Sequence, residues 1–394
     1  MKILEYVYSN MVKPIGGPNG YVYNIINDFD NSDILLETLN NSVVERVKKY
    51  RKFIPGFLVE FLKVIREEKN IKAVMSGNVV IPNINEYSII HFHIPYHLFA
   101  CRNALKNFHG KVVLTNHTPI PTYNEIYYDN YTKFLRFAGG KRRKGLYKKA
   151  CDEAFYLADY ILYPCYNAQD CYFSDWDGYQ KIYEDNLEKF VYLPTGCVEK
   201  KPQIDKPTIR RETHTENAFV VSYVGRHNES KGYHKLQNIA KAVFDKTDDV
   251  KFVICGKEGP LYGLKTPKWV EIGWTKDADS YINASDVFVL PNTQTYFDLV
   301  MLEVLSLGKI VIASNTGGNK YFSRFQNIGV FLYNTEEEAT DLILKIKNME
   351  QCEIKKLEAS NRNLYLNYFD SKIFSKRYEQ FYSDVQTGKV KHEY

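Results

Sequence analysis

A glycine, an arginine and a lysine in the second half of the chain have the spacing to bind an anion. Gly225-Arg226 directly follows an apolar run, and Lys231-Gly232 comes shortly before an amphipathic stretch. A strand-to-helix turn exposes unpaired backbone N–H groups and the positive end of a helix dipole, and glycine lets the backbone approach a ligand. Arg226 and Lys231 could clamp a diphosphate, the guanidinium as a bidentate fork and the ammonium as a point charge. A solvated loop with two surface cations is the alternative.

A single acid in an apolar helix is the second candidate. Residues 290–308 have the pattern of a strand, a loop and a helix that begins near Asp298 and ends at Gly308. Within that helix, after Asp298, Glu303 is the only ionisable residue among apolar neighbours, and such a carboxylate needs a partner. A ribose diol would suit, because a carboxylate accepts hydrogen bonds from both hydroxyls. A backbone group or a neighbouring cation is the alternative partner.

Histidines are the candidates in the first half of the chain. His117 follows the apolar run 112–115, and ligands of open α/β sheets bind beyond the carboxyl ends of the strands. His91 and His93 share a face if their strand extends that far, so they could bind a metal. Because no third ligand is evident, we favour structural or acceptor-side roles for them and predict no metal site.

Short apolar runs that alternate with longer amphipathic stretches predict the elements that position these residues. Continuous β-branched runs separated by helical patterns are typical of parallel sheets covered on both faces. We therefore predict an α/β chain with two doubly wound, Rossmann-like domains that face each other across a cleft. The predicted strands are 1–7, 88–91, 112–115, 160–163, 190–193, 220–224, 252–255, 287–290 and 310–313.

The domain limits follow from changes in composition. Residues 199–216 are rich in Lys, Pro and Thr and have no apolar period, which favours a linker. We predict an N-terminal domain over 1–198, a linker over 199–217, a C-terminal domain over 218–368, and a helix and tail over 369–394. Aromatic residues at helical spacing in the last segment predict a helix that packs back toward the N-terminal domain.

Composition excludes several classes of protein. The chain has 394 residues, 44% hydrophobic and 25% charged, with a formal net charge of +5. This indicates a folded chain of two ordinary domains, without the roughly 18 to 20 uncharged residues in a row that a membrane-spanning helix needs. The charge is too small to predict a nucleic acid partner. Seven cysteines without a CxxC pair, and an N-terminus unlike a signal peptide, predict reduced thiols and a cytoplasmic location.

Several motifs together closely resemble the donor domain of the retaining glycosyltransferases of family four, which have the GT-B fold. The resemblance covers most of residues 188–335. The motifs are Gly225-Arg226-x4-Lys231-Gly232, Leu302-Glu303-x4-Gly308, the run 309–318, and Leu193-Pro194-Thr195-Gly196 near the predicted domain junction.

The resemblance implies a role for each residue in the C-terminal domain. Arg226 and Lys231 would hold the diphosphate of a nucleotide-sugar donor, next to Gly225. Glu303 would hold the ribose. The backbone amides of Leu299 and Val300 would hold the distal phosphate.

The chain departs from the family pattern at two donor-site positions. Thr295 stands where the family usually has a Glu that touches the donor sugar, and Asp298 stands where it has a Gly. Both residues are therefore assigned to the donor site, with altered sugar recognition or activity as the consequence.

In the N-terminal domain, the resemblance assigns two further features. Gly16 and Gly17 would form a glycine-rich loop whose amides approach the donor phosphate, with a plain turn as the alternative. His117 matches the histidine that contacts the donor sugar, which makes it a catalytic candidate together with Arg226 and Lys231.

The implied activity is transfer of a sugar from a nucleotide diphosphate, expected to be a UDP-sugar, with retention at the anomeric carbon. The acceptor would be a hydroxyl group of a glycan or of a lipid-linked or protein-linked acceptor. The nucleotide sugar is a substrate, so no cofactor and no metal are expected. A catalytically silent nucleotide-sugar-binding subunit and a GT-B epimerase are the alternatives.

A basic run and an aromatic stripe could reach an anionic membrane. The run includes Lys141, Arg142, Arg143 and Lys144, and a solvated loop is its alternative. For the stripe we favour packing in the core. Its members are Phe53, Ile54, Phe57, Leu58, Phe61, Leu62 and Ile65.

Overall fold

All nine apolar runs predicted to be strands lie in β-strands of the computed structural model, which describes residues 1–13, 18–39 and 55–394. The described chain divides into two units. The first comprises Met1–Pro164, Cys171–Pro194 and Ser375–Tyr394, and the second comprises Cys165–Asp170 and Thr195–Phe374.

The sheet of the first unit has six parallel strands in the order β2-β1-β3-β4-β5-β6. Its central strands are apolar and buried, as expected when helices cover both faces. The strands are β1 (Lys2–Tyr8), β2 (Leu35–Leu39), β3 (Ile89–Phe92), β4 (Lys111–Thr115), β5 (Tyr160–Tyr163) and β6 (Phe190–Tyr192).

The sheet of the second unit is also parallel, in the order β12-β11-β10-β7-β8-β9. Every residue of β10 and β11 is buried. The strands are β7 (Phe219–Val224), β8 (Val250–Cys255), β9 (Trp269–Gly273), β10 (Val287–Leu290), β11 (Ile310–Ser314) and β12 (Val330–Tyr333). The predicted α/β class with two Rossmann-like sheets is confirmed.

Helices connect the strands in both units, as parallel pairing requires. None of the helices in these three described stretches has the length and apolar character to cross a lipid bilayer. The helices are α1 (Pro18–Ile26), α2 (Gly56–Ser76), α3 (Pro95–Ala100), α4 (Arg102–Leu105), α5 (Thr122–Glu125), α6 (Lys133–Phe137), α7 (Gly140–Leu157), α8 (Asp170–Asp175), α9 (Tyr179–Glu184), α10 (Lys206–Glu212), α11 (Tyr233–Lys246), α12 (Ala278–Ala284), α13 (Leu299–Ser306), α14 (Glu336–Lys347), α15 (Gln351–Leu364) and α16 (Ser371–Thr387).

The C-terminal helix packs on the N-terminal sheet, as predicted. From Ser375 onward α16 belongs to the first unit, and Ser375 Oγ donates to Ile25 O at 2.8 Å. The Tyr382 hydroxyl donates to Glu5 Oε1 of β1 at 2.5 Å, and both residues are fully buried.

The segment predicted to be a linker has structure of its own. It contains α10, and Arg210 of this helix is buried, donating to Ala284 O and to Asp286 Oδ2, each at 2.7 Å. A buried guanidinium has to be paired. Here its partners belong to the second unit, so the bonds attach the segment to that unit. The domain limits drawn from the sequence, including those of the linker, stay predictions.

Candidate functional site

The turn after β7 lies at the carboxyl edge of the second sheet and is tightly packed. A Cβ on Gly256 would lie 1.8 Å from Gly225 O, and Gly232, with φ of +66°, would place a Cβ 1.7 Å from Pro291 O. Only glycine fits at Gly232 and Gly256. The chain can therefore bring Arg226 and Lys231 to the start of α11, which follows Gly232.

Lys231 has a partner that the sequence analysis did not assign to it. Its Nζ lies 2.6 Å from Asp298 Oδ2, and Asn292 Nδ2 donates to the same oxygen at 2.8 Å. Burial opposes ionisation of Asp298, but Lys231, Asn292 and the charge of Arg226 outweigh it and lower the pKa of this carboxyl. Arg226 itself is exposed. Asp298, which departs from the family pattern, thus places a negative charge beside Lys231, which is predicted to bind a phosphate.

The other predicted donor-site residues of this unit lie just before and within α13. Asp298 immediately precedes the helix, and Leu299 and Val300 form its first turn, where amide groups have no partner within the helix. Thr295 is buried, and its carbonyl oxygen accepts from Gly318 N at 3.3 Å.

Glu303 has a cation as its partner, the alternative that the sequence left open. Its Oε1 lies 3.0 Å from Lys200 Nζ, and Asp279 Oδ1 lies 3.9 Å from the same ammonium. Burial opposes the charge of Lys200, but the two carboxylates outweigh it and raise its pKa. The Glu303 side chain is 26% exposed, so a hydroxyl ligand can still reach it. Sequence reasoning missed Lys200 because it lies in the segment predicted to be a linker.

In the first unit, His117 lies just beyond the carboxyl end of β4 and is partly buried. Its Nε2 lies 2.9 Å from His93 Nδ1, and its ring centroid is 4.4 Å from that of Tyr21. Gly16 and Gly17 lie outside the described residues, so their predicted role stays a prediction.

His91 in β3 and His93, just after this strand, share a buried acid that sequence reasoning missed. Glu5 pairs in register with His91 across β1 and β3, and its Oε2 lies 2.7 Å from His93 Nε2 and 3.2 Å from His91 Nδ1. Three such groups could ligate a metal, but these separations are those of hydrogen bonds and salt bridges between the side chains themselves. The signal in the sequence was a lone acid inside the apolar run of β1.

The basic run and the aromatic stripe differ from the expectations. The run opens α7 instead of forming a loop, and Arg143 is not available to a membrane, because it is fully buried and donates to Glu68, Ala138 O and Leu135 O. Lys141 and Arg142 are exposed, and Arg142 also pairs with Glu68.

The prediction that the stripe packs in the core is wrong for its described part. The buried residues of α2 are Ile71 and Val74, so only the C-terminal part of this helix packs inward. Phe53 and Ile54 lie outside the described residues. The exposed members are Phe57, Leu58, Phe61, Leu62 and Ile65.

Comparison with known proteins finds a family match within the second unit. Residues 218–349 match the family described as "Glycosyl transferases group 1". This segment therefore resembles the group 1 glycosyl transferases. The match includes Arg226, Lys231, Asp298 and Glu303, and it confirms the resemblance stated above.

Curated relatives of this domain are glycosyltransferases. The chain is 31% identical over 156 residues to the UDP-Gal:alpha-D-GlcNAc-diphosphoundecaprenol alpha-1,3-galactosyltransferase of Escherichia coli. The aligned stretch covers 36% of this chain and 40% of that protein. The chain is 24% identical over 260 residues to the 2-deoxystreptamine N-acetyl-D-glucosaminyltransferase of Niallia circulans, covering 59% and 60% of the two chains. The chain therefore matches less than two thirds of the length of either relative.

Solved structures resemble the whole chain in fold. HepE of Anabaena in complex with UDP aligns with a TM-score of 0.63 and 16% identity over 98% of this chain and 100% of that one. Sucrose-phosphate synthase of Thermosynechococcus elongatus aligns with a TM-score of 0.65 and 15% identity over 98% and 99%. At this identity the likeness shows the two-domain fold.

Proposed function

We propose that the chain is a retaining glycosyltransferase that uses a nucleotide sugar, in particular a UDP-sugar. The observation that carries the proposal is the position of Arg226 and Lys231 at the carboxyl edge of the second sheet, inside the segment that matches the group 1 family. The E. coli relative is named for UDP-Gal, and the HepE structure contains UDP. Both support UDP as the nucleotide.

Each part of the donor meets a group of suitable chemistry. Arg226 and Lys231 supply positive charge to the diphosphate, and the first-turn amides of α13, from Leu299 and Val300, supply donors to its distal phosphate. Glu303 accepts from the ribose hydroxyls. The family resemblance assigns the sugar to His117.

In the reaction the bond between the anomeric carbon and the diphosphate oxygen breaks, and a bond to the acceptor oxygen forms. The proton of the acceptor hydroxyl leaves with the UDP. As negative charge develops on the departing diphosphate, fixed cations and amides stabilise it more in the transition state than in the ground state. The acceptor belongs to the class of glycans and of lipid-linked or protein-linked sugars.

The test is to incubate the full chain with UDP-sugars and glycan or lipid-diphosphate acceptors, measuring UDP release and the anomeric configuration of the product. We expect acceptor-dependent UDP release with an unchanged anomer, and a loss of at least about ten-fold in the Arg226→Ala variant. Lys246→Ala is the matched control, because Lys246 is an exposed cation of the same unit paired with Asp341. Binding without turnover on any donor would contradict the proposal and favour a nucleotide-sugar-binding subunit.

We further propose that the first unit contacts the surface of an anionic membrane. The exposed apolar residues of α2 provide the hydrophobic contact, and Lys141 and Arg142 lie on the neighbouring helix α7, which pairs with α2 through Glu68. Apolar side chains beside cations bind anionic lipid surfaces by burial and charge together.

This second proposal has its own measurement. The chain should sediment with vesicles that contain phosphatidylglycerol and remain in solution with phosphatidylcholine vesicles alone. Phe57→Ser and Lys141→Glu should each weaken the binding, whereas Lys246→Glu on the other unit should not. Equal binding of all three variants would contradict the assigned surface.

A further inference from the structure

The buried side chains behind His117 form a chain of hydrogen bonds that starts at an acid of β1. Glu5 Oε2 lies 2.7 Å from His93 Nε2, and His93 Nδ1 lies 2.9 Å from His117 Nε2. Glu5 is fully buried and His93 is 2% exposed. A chain of this kind determines which ring nitrogen carries each proton, because every bond needs one donor and one acceptor.

The acid end of the chain is ionised. Burial opposes the charge of Glu5, but the neighbouring His91 and His93 outweigh it and lower the pKa of this carboxyl. An ionised carboxylate only accepts hydrogen bonds. The Tyr382 hydroxyl therefore donates to Oε1, and His93 donates from Nε2 to Oε2.

The neighbouring contacts agree with these directions. His91 Nε2 lies 2.8 Å from Thr115 Oγ1 and its Nδ1 lies 2.9 Å from the Tyr382 hydroxyl oxygen. Because that hydroxyl donates to Glu5, His91 must donate to it from Nδ1. No atom of this cluster is required to donate twice.

His93 carries one proton at neutral pH. Burial, and then the neighbouring His91, lower its pKa to about 4, although Glu5 acts in the opposite direction. With its proton on Nε2, His93 Nδ1 has a lone pair and can only accept, so the bond to His117 must come from an N–H at His117 Nε2. Burial also lowers the pKa of His117 well below its usual value.

We propose that Glu5 and His93 are positioning residues that hold His117 as the neutral Nε2–H tautomer, so that its Nδ1 keeps a lone pair and can only accept a hydrogen bond. His117 would then recognise a sugar hydroxyl that donates, and it would not act as a cation toward the diphosphate. This inference rests on the proposed function for the identity of the ligand, but the tautomer itself does not depend on any ligand.

The test is the 15N spectrum of the histidine rings in the full chain labelled with 15N-histidine, at pH 7 and without any donor. We expect a protonated Nε2 and an unprotonated Nδ1 in both His93 and His117, assigned from the signals lost in His93→Gln and His117→Gln. A proton on His117 Nδ1, or a doubly protonated ring at either position, would overturn the proposal. If a variant fails to fold, correlating each histidine ring with its own assigned backbone amide in the wild-type chain gives the same assignment.

A pair of variants tests the role of Glu5. In Glu5→Gln the side-chain amide can donate to His93 Nε2, which would reverse the chain and move the proton of His117 toward Nδ1. Tyr382→Phe is the matched control, because it removes one hydrogen bond from the same carboxylate and leaves the Glu5–His93 bond in place. An unchanged His117 signal in a folded Glu5→Gln variant would show that Glu5 does not position His117.

The two proposals fail in different ways. If the tautomer is as expected but no UDP-sugar is turned over, the proposed function fails and the hydrogen-bond chain stands. If UDP-sugar is turned over and His117 carries its proton on Nδ1, the hydrogen-bond chain fails and the transferase stands.

Discussion

Replacing Asp298 by Asn should increase the affinity of the chain for UDP. Lys231, a predicted diphosphate ligand, lies 2.6 Å from Asp298 Oδ2, and the two side chains are only 29% and 14% exposed. A phosphate that takes the Lys231 ammonium has to compete with this carboxylate and is repelled by its charge. Asn keeps the shape of the side chain and the bond to Asn292 but removes the charge.

The size of the effect follows from this contact. A hydrogen bond between charged groups contributes about 1.5 to 3 kcal/mol, and we take the lower value because both side chains remain partly in contact with water. The Asp298→Asn variant should therefore bind UDP about ten-fold more tightly, the equivalent of roughly 1.4 kcal/mol. Uridine, which has no phosphate, should bind both proteins equally.

Isothermal titration calorimetry with UDP and uridine measures both affinities. Asp248→Asn is the matched control, because Asp248 is exposed, pairs with Lys268 and precedes β8 at the opposite, amino edge of the same sheet. The Lys231→Ala change should cost more UDP affinity in the Asp298→Asn variant than in the wild type, since contacting residues are not additive. Equal or weaker UDP binding by Asp298→Asn would refute the competition and indicate that Asp298 instead holds Lys231 in place for the phosphate.

Four further outcomes are expected. Arg226→Ala should weaken UDP binding by about 1.5 to 3 kcal/mol and leave uridine binding unchanged in calorimetry; equal UDP binding would exclude a phosphate contact. Glu303→Gln should weaken uridine binding but not 2′,3′-dideoxyuridine binding, whereas a lower Tm with normal uridine affinity would mean that Glu303 serves only its ion pair with Lys200. His117→Ala should bind UDP normally and turn over at least about ten-fold more slowly, a loss of roughly 1.4 kcal/mol, and full turnover would contradict its contact with the sugar. In urea unfolding, the free energy of unfolding should fall as pH drops from 6.5 toward about 4, because the unfolded chain protonates His93 while the folded one keeps it neutral. The loss of stability is up to about 3 kcal/mol. A His93→Gln variant whose stability has the same pH dependence would disprove this.

The central strands of both sheets could be predicted because they are covered on both faces and so appear as unbroken apolar runs. The three strands that the sequence did not predict, β2, β9 and β12, all lie at sheet edges. Their residues are mostly only partly buried, and Leu35 of β2 is 56% exposed. Without cover on both faces, these three strands have no continuous apolar pattern to recognise, whereas the edge strand β6 is buried at Phe190 and Val191 and was predicted.

The exposed stripe of α2 shows the opposite error. Its apolar residues recur at helical spacing, which the sequence alone cannot distinguish from a core-facing helix. Only the packing of Ile71 and Val74 shows which part of the helix is covered.

The sequence by itself determined which predicted site residues lie at the carboxyl ends of strands. Gly225, Arg226 and His117 follow apolar strands, and the carboxyl ends of parallel strands are where an open α/β sheet binds its ligand. Local patterns contain this information because a strand and the turn after it are contiguous in the chain.

Only the tertiary structure decided which side chain meets which. Lys231 pairs with Asp298, Glu303 with Lys200, and Glu5 with His93. In each case strand order and helix packing join residues that are far apart in the chain. The sequence shows that each charged residue needs a partner, because a buried charge without one is costly. The identity of that partner depends on the register of the sheets, which no local pattern records.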